Sequence, residues 1–359
     1  MNPQRQEFPS EELLEWYDMH KRDLPWRRSS DPYAIWVSEI MLQQTRVDTV
    51  IPYFYRFLER FPTVCSLAEA PLDDLLKIWE GLGYYRRAVN MKKAAKTVCD
   101  ELNGRFPTSA NQLLELTGIG PYTSAAIASI AFQEPAAAVD GNVIRVMTRY
   151  YGIESDIRKT KTQKEVRDAA GAAISNDRPG AFNQALMDLG SGICTPSSPE
   201  CGACPLSVGC AAFQQVKTDT IPYKSPGKKV PHHEIGVGVI QDHTGALLIA
   251  KRPLNGLLGG LWEFPGGKKE SGETLEACVI RELQEELGCE VEPIQKIAVI
   301  DHAYSHFKIT MHAYLCRLKS GEPQALQPDE IRWVNPDELD HFSFPKANKM
   351  LIRAILELG

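Results

Sequence analysis

Histidine is scarce where this sequence otherwise looks busiest. The chain carries eight histidines, yet none occurs between His20 and His232. Acid–base or metal chemistry in that stretch therefore falls to carboxylates, tyrosine, lysine or cysteine. Lysine is missing as well from the long interval between Lys96 and Lys159. No apolar run approaches the roughly 20 residues of a membrane-spanning helix. The opening residues MNPQRQEFPSEELLEW are polar and acidic, unlike a secretory signal, so a cytoplasmic protein is expected. Internal repeats and low-complexity tracts are absent too. So is any positive excess: 40 Lys and Arg stand against 46 Asp and Glu, a net charge of −6. Residues 1–230 balance at 27 against 27, and residues 231–359 hold 13 against 19. The acidic surplus thus lies in the last third, and the neutral remainder can still carry a local basic face for nucleic acid.

What is present is enough chain for two or three domains, with 359 residues, 43% hydrophobic and 24% charged. Residues 10–213 read as successive helices. DPYAIWVSEIMLQQTRVDTVIPYFYRFLERFP has apolar residues at three- and four-residue spacing and predicts two helices broken near Ile51–Pro52. VKTDTIPYKSPGKKVPHH, rich in proline and lysine, predicts a linker over 214–233. Beyond it EIGVGVIQD, GALLIAKR and EIRWVN have strand character, and GETLEACVIRELQEELG and KANKMLIRAILELG are helical. Of nine cysteines, Cys65, Cys99, Cys278, Cys289 and Cys316 are scattered and are expected as buried, reduced thiols.

Four motifs in the helical part carry chemistry. In LTGIGPYTSAAI, Gly118-Ile119-Gly120 joins two helices, and Pro121 suits the first turn of the second. Glycines and a helix N-terminus together can grip a phosphate without reading sequence. In AAAVDGNVIRV, Asp140 precedes a helix, where it could simply cap free N–H groups. Glu39 interrupts the apolar run WVSEIML. It either faces solvent or faces a pocket, where burial would raise its pKa and make it a proton donor. Finally, CTPSSPECGACPLSVGC spaces Cys194, Cys201, Cys204 and Cys210 as C-x6-C-x2-C-x5-C, a set for zinc or a [4Fe–4S] cluster.

In this order, from LPWRRSSDPYAIWVSEIMLQQTRV to the C-terminal part, these motifs resemble the MutY-type adenine DNA glycosylases of the helix-hairpin-helix superfamily, shared with endonuclease III. The resemblance implies an all-α glycosylase domain over 1–213, with its hairpin at about 111–132 and an iron–sulfur loop at 194–210. It also implies an α+β Nudix-like domain over 234–359 that recognises 8-oxoguanine. The expected activity is removal of adenine mispaired with 8-oxoguanine, with the base flipped out of the duplex. Glu39 would protonate the adenine and Asp140 would stabilise the sugar cation, tuned by Tyr122 and Asn142. Arg22, Trp26, Arg27 and Leu42 would form the adenine pocket. Gln44 and Tyr84 would fill the opened stack, Thr45 and Leu82 would lie near the lesion, and Gly118 and Gly120 would hold phosphate. Cys194, Cys201, Cys204 and Cys210 would hold the [4Fe–4S] cluster. Endonuclease III-type lyases use a lysine in the second hairpin helix. Tyr122 stands there in this chain, so a monofunctional glycosylase is expected. Thr117 departs from the proline usual before the turn.

The last domain adds two further expectations. Tyr304-Ser305-His306 matches the family's lesion-reading Phe-Ser-His, with tyrosine replacing phenylalanine. Gly267, Glu273, Arg281, Glu282, Leu283, Glu285, Glu286 and Gly288 complete a nearly full Nudix box, with Cys289 in its last aliphatic position. Glu282, Glu285 and Glu286 share one helix face and could hold Mg²⁺, or the box could be retained scaffold. The partner expected is double-stranded DNA carrying 8-oxoguanine opposite adenine, bound by a monomer in the nucleoid. Two other readings are a Nudix nucleotide hydrolase tethered to a DNA-binding module, and a lesion sensor without catalysis.

Overall fold

The computed structural model describes residues 7–227, 229–304 and 306–357. They form two compact units, Met1–Glu69 with Asn90–Gly227, and Ala70–Val89 with Lys228–Gly359. The helices run α1 (Ser10–His20), α2 (Pro32–Leu42), α3 (Val47–Arg60), α4 (Val64–Glu69), α5 (Leu72–Trp79), α6 (Arg86–Asp100), α7 (Ala110–Leu113), α8 (Pro121–Phe132), α9 (Gly141–Tyr151), α10 (Thr160–Ala173), α11 (Pro179–Gly192) and α12 (Ala211–Gln214). Of these, α5 and the start of α6 lie in the second unit. Among the described residues no helix is long and apolar enough to cross a membrane.

In the first unit, α2 starts where Asp31 accepts the Tyr33 N–H at 3.0 Å and Pro32 presets the first turn. Every residue from Tyr33 to Met41 is buried, so α2 has no solvent face and Glu39 must point into protein. The expected break near Ile51–Pro52 is instead at residues 43–46. Gln44 adopts a left-handed φ of 58° that stops α2, and Pro52 lies inside α3, where its missing N–H forfeits one ladder bond.

The core of this unit gathers Leu13 and Leu14 of α1, Val146 and Met147 of α9, Ala170 of α10, and Phe182, Leu186 and Leu189 of α11. Burial of each large side chain contributes about 1.5–3 kcal/mol. Helix α11 is the central element because glycines let it come close. A Cβ at Gly180 would lie 2.7 Å from the Ser129 carbonyl oxygen, and one at Gly190 would lie 2.6 Å from the Asn142 Cβ. Between them Asn183 donates to Ser129 Oγ and the Ala136 carbonyl and accepts from the Ala138 N–H. It thereby fixes the segment leading to Asp140.

Cys65 and Cys99, expected as free thiols, are joined in a disulfide with a Cα–Cα separation of 5.3 Å. The fold sets α4 against the end of α6, which spacing along the sequence does not reveal. Cys278, Cys289 and Cys316 are free and buried. Within the stretch 214–233, residues up to 227 stay with the first unit. Ile221 is 1% exposed, and Arg149 donates to the carbonyls of Thr218 and Ile221.

The second unit contains strands β1 (His232–Ile240), β2 (Leu247–Lys251), β3 (Trp262–Glu263), β4 (Gly266–Lys268), β5 (Glu290–Ala303), β6 (Lys308–Ser320) and β7 (Glu330–Val334), with α13 (Leu275–Leu287) and α14 (Lys346–Leu356). One sheet has the order β4-β1-β6-β5, with β1 and β6 parallel; the other has the order β3-β2-β7. Gly236 and Gly238 let α13 approach β1, since a Cβ at Gly238 would sit 2.6 Å from Leu283 Cδ2. Residues 70–89 are bound into this unit. Glu80 accepts Lys349 Nζ at 2.6 Å, Lys77 Nζ at 3.1 Å and the Phe344 N–H, and Asp73 pairs with Lys251.

Candidate active site

A cavity of about 510 Å³ opens in the first unit. Glu39, Tyr122, Asp140 and Asn142 line it, as do Arg22, Trp26, Arg27, Leu42, Gln44 and Thr45. The fold thus collects, from α2, α8, α9 and the turn before α2, residues up to 120 positions apart in sequence. Gly118 and Gly120 are not part of the lining; they form the turn between α7 and α8. Gly118 has φ 81°, and a Cβ there would lie 2.6 Å from the Asn90 Cβ. Only glycine fits both the conformation and the space. Gly120 and Pro121 begin α8, leaving its first N–H groups free for an anion.

Glu39 is 5% exposed, and Tyr122 Oη donates to its Oε2 at 2.7 Å. Burial, aided by neighbouring Asp140 and opposed by the Tyr122 bond and Arg27, pushes the Glu39 carboxyl up to about 7. The carboxyl can therefore carry a proton near neutral pH. Burial also lifts the Tyr122 hydroxyl well above its ordinary range, so it remains a donor.

Asp140 both caps α9 and faces the cavity. Its Oδ1 accepts the Val143 N–H at 2.8 Å, and its Oδ2 accepts Asn142 Nδ2 at 2.9 Å. Burial raises its pKa, and these two bonds together with the Arg145 charge lower it. Arg145 donates to Asn142 Oδ1 at 2.8 Å, to the Gly190 carbonyl at 2.6 Å and to the Cys194 carbonyl at 2.7 Å. A continuous chain of bonds therefore runs from the cysteine loop to Asp140.

The cavity also takes residues from a helix that carries none of the sequence motifs. Gln184, Met187 and Ser191 come from α11, and Asp188 beside them grips both arginines. Their visible signal is the polar triplet Asn183, Gln184 and Asp188 inside the apolar frame of FNQALMDLG.

Cys194, Cys201, Cys204 and Cys210 are free and half-buried. Burial raises the pKa of Cys201, Cys204 and Cys210. Among the described residues, however, no three His, Cys, Asp or Glu side chains meet where one metal ion could be held. Arg149 donates to Cys194 Sγ at 3.3 Å and to the Thr195 and Pro196 carbonyls, anchoring the loop.

The remaining sites lie in the second unit. Leu82 is buried, and Tyr84 has a left-handed φ of 49°. Arg87 lies over the Trp79 and Tyr84 rings and donates to the Leu82 and Gly83 carbonyls. Tyr85 is core. At the β5–β6 connection Tyr304 stacks on Phe307 at 4.7 Å and meets His302 edge-on at 4.5 Å. Its hydroxyl is pushed up to about 12 by burial. His306 is exposed, and Ser305 lies outside the described residues.

The Nudix box is knitted together by Arg281. It binds Glu273 at 2.8 Å, Glu282 at 2.9 Å and Glu285 at 3.4 Å, and donates to the Lys268 carbonyl. Gly267 leaves room for Glu282, since a Cβ there would lie 2.3 Å from the carboxylate. Glu286 accepts the Gly266 N–H at 3.1 Å. These contacts join α13 to the loop before it.

Comparison with known proteins agrees with both units. Residues 37–171 match the HhH-GPD superfamily of base excision DNA repair proteins, and residues 236–354 match the NUDIX domain. The adenine DNA glycosylase of Rattus norvegicus is 34% identical over 96% of this chain and 77% of its own length. That of Homo sapiens is 35% identical over 95% and 72%, and that of Buchnera aphidicola 32% over 96% of each. A thermostable thymine-DNA glycosylase structure superposes with a TM-score of 0.53 at 29% identity, covering 57% of this chain and 95% of that one. An endonuclease III–DNA complex, at 24% identity and a TM-score of 0.50 over 58% and 94%, shares the fold. Helical repair scaffold, carboxylate-lined cavity, Nudix domain and chain-long similarity converge on one assignment: the chain belongs to the adenine DNA glycosylases.

Proposed function

We propose that this chain removes adenine paired with 8-oxoguanine from duplex DNA and leaves the strand uncut. The observation that carries this reading is the pair of carboxyls in one cavity, Glu39 pushed up to about 7 and Asp140 tied to a helix N-terminus and Asn142. Two carboxyls in unlike surroundings can divide the work of breaking a glycosidic bond. A flipped adenine in the cavity would take a proton from Glu39 on a ring nitrogen. The bond electrons then leave with the base, and the Asp140 carboxylate balances the sugar cation. Water activated by Glu39 completes the exchange. Gln44 and Tyr84 would fill the vacated stack, and Tyr304, Ser305 and His306 would face the lesion, with Thr45 and Leu82 near it. The cavity lining holds two arginines and no lysine among the described residues, which favours hydrolysis over a Schiff base.

The test is a single-turnover reaction on a duplex with 8-oxoguanine opposite adenine. Adenine release with strand cleavage only after alkali is expected. A borohydride-trapped protein–DNA adduct would refute the monofunctional reading, and no release would refute the activity.

The loop offers four cysteines spaced C-x6-C-x2-C-x5-C, with a single C-x2-C pair where zinc sites usually have two. That donor set fits a [4Fe–4S] cluster better than zinc. When bound, the cluster would brace residues 194–210 as one rigid loop. A brown protein absorbing near 400 nm is expected, with the absorption lost in Cys201→Ser; a colourless protein containing zinc would contradict this. In the Nudix box the carboxylates are drawn to Arg281 and backbone, which favours a scaffold for the reading domain over Mg²⁺-dependent hydrolysis.

A further inference from the structure

Asp188, which binds two arginines of the cavity lining, is a buried carboxylate for which neither catalysis nor metal binding gives a use. Its side chain is 4% exposed, yet it receives five hydrogen bonds from two arginines. Arg27 binds it with both terminal nitrogens, NH1 to Oδ2 at 2.6 Å and NH2 to Oδ1 at 3.0 Å. Arg22 approaches Oδ1 through Nε at 2.8 Å and NH2 at 2.5 Å, and its backbone N–H reaches Oδ2 at 3.4 Å. Arg27 also donates to the Arg22 carbonyl at 3.3 Å and lies over the Tyr17 ring.

We propose that Asp188 is a positioning residue that locks Arg22 and Arg27 into a single rigid donor wall for the extruded purine. The inference rests on the reading of the cavity given above. A guanidinium has five N–H donors in a fixed plane. The bonds described use three of them on Arg27 and two on Arg22. The rest remain for a ligand rich in acceptors, as a purine ring edge is. Long arginine side chains ordinarily lose much rotamer freedom when they bind. Arg22 in particular is 41% exposed and would be mobile without an anchor. The anchor sits on α11, whose glycines clamp it against α8 and α9, so the wall is fixed relative to Asp140. One carboxylate between two guanidiniums also leaves a net positive wall. Arg27 faces Glu39, on which Tyr122 from α8 and Asp140 at the head of α9 also act.

The full chain, Asp188→Asn, Arg27→Gln and the double variant are compared in single-turnover base release. Binding to a duplex with a stable abasic analogue opposite 8-oxoguanine is measured alongside, because that ligand places no base in the cavity. Asp188→Asn is expected to slow base release by about 30-fold or more, as loss of one member of a buried charged pair does. Abasic-duplex affinity should stay within about threefold. In the Arg27→Gln background the same change should cost far less, since the two residues act through one another. Asp188→Glu, which keeps the charge but shifts the guanidiniums, should lose rate while melting like the unaltered chain. Costs that multiply in the double variant, or parallel losses of abasic-duplex binding and melting temperature in both Asp188 variants, would assign Asp188 to folding alone and overturn the inference. So would an Asp188→Asn variant at full rate beside an active unaltered chain. An unaltered chain that releases no adenine overturns the reading of the cavity and this inference with it.

Discussion

Asp140→Asn should reduce single-turnover adenine release by about a thousandfold, within the range lost when an oriented electrostatic group is removed from a reacting centre. The change is nearly isosteric. Asparagine caps helices about as well as aspartate, and its Oδ1 can still accept the Val143 N–H that Asp140 holds at 2.8 Å. Its amide nitrogen would replace Oδ2 and meet the Asn142 Nδ2 donor, so stability should fall by about 1–3 kcal/mol. What disappears is the negative charge that faces the cavity beside Asn142. Rate and melting temperature, measured on the same preparation, separate the two roles. Base release within a few-fold of the unaltered chain would remove Asp140 from the chemistry and leave it a helix cap.

Glu39→Gln should cost about 10²–10⁴-fold in the same assay, the usual contribution of a general acid. Its pH dependence makes the test sharper. The protonated carboxyl is the active form, and burial pushes this group up to about 7. Base release by the unaltered chain should therefore be level in pH just below 7 and decline above it, approaching tenfold per unit. The residual rate of Glu39→Gln should lack that decline. Stability provides an independent reading. A carboxyl whose pKa is raised by folding helps the folded state below its ordinary value of 4.5, and that help is lost as pH rises through about 7. The loss amounts to about 3 kcal/mol. Glutamine can still accept from Tyr122 and has no charge to desolvate. The variant should thus resist urea better than the unaltered chain at pH 8 and show no such advantage near pH 4. Equal denaturation midpoints at pH 8 would mean that the carboxyl is not held in a desolvated site.

Much of this site is legible in the sequence, and the limits follow from particular residues. Asp140 stands out because a carboxylate just before a helix has a role whatever else it does, and in the structure it caps α9 and lines the cavity. Glu39 is ambiguous in sequence: one polar residue in WVSEIML could mark the wet face of an amphipathic helix. Only the burial of Tyr33 through Met41 on every side removes that choice. The helix series and the switch to strands after residue 231 follow from periodicity. The break between α2 and α3 does not, because Pro52 is the stronger stop signal but Gln44 carries the left-handed turn. Asp188 stands out as a polar residue in an apolar frame, but its pairing with the two arginines is not readable. Its partners lie 161 and 166 positions away, and helical spacing says nothing about contacts at that range. The Cys65–Cys99 bond escaped for the same reason.

Gln44 and Tyr84 both occupy left-handed backbone that glycine would adopt at less cost. Selection for heat resistance alone would therefore favour glycine at each position, and would erase the two side chains proposed to occupy an opened base stack. A lineage hardened in that way would keep its fold and lose its hold on an unpaired partner strand. Thermal robustness and the proposed wedge role thus pull against each other at these two residues.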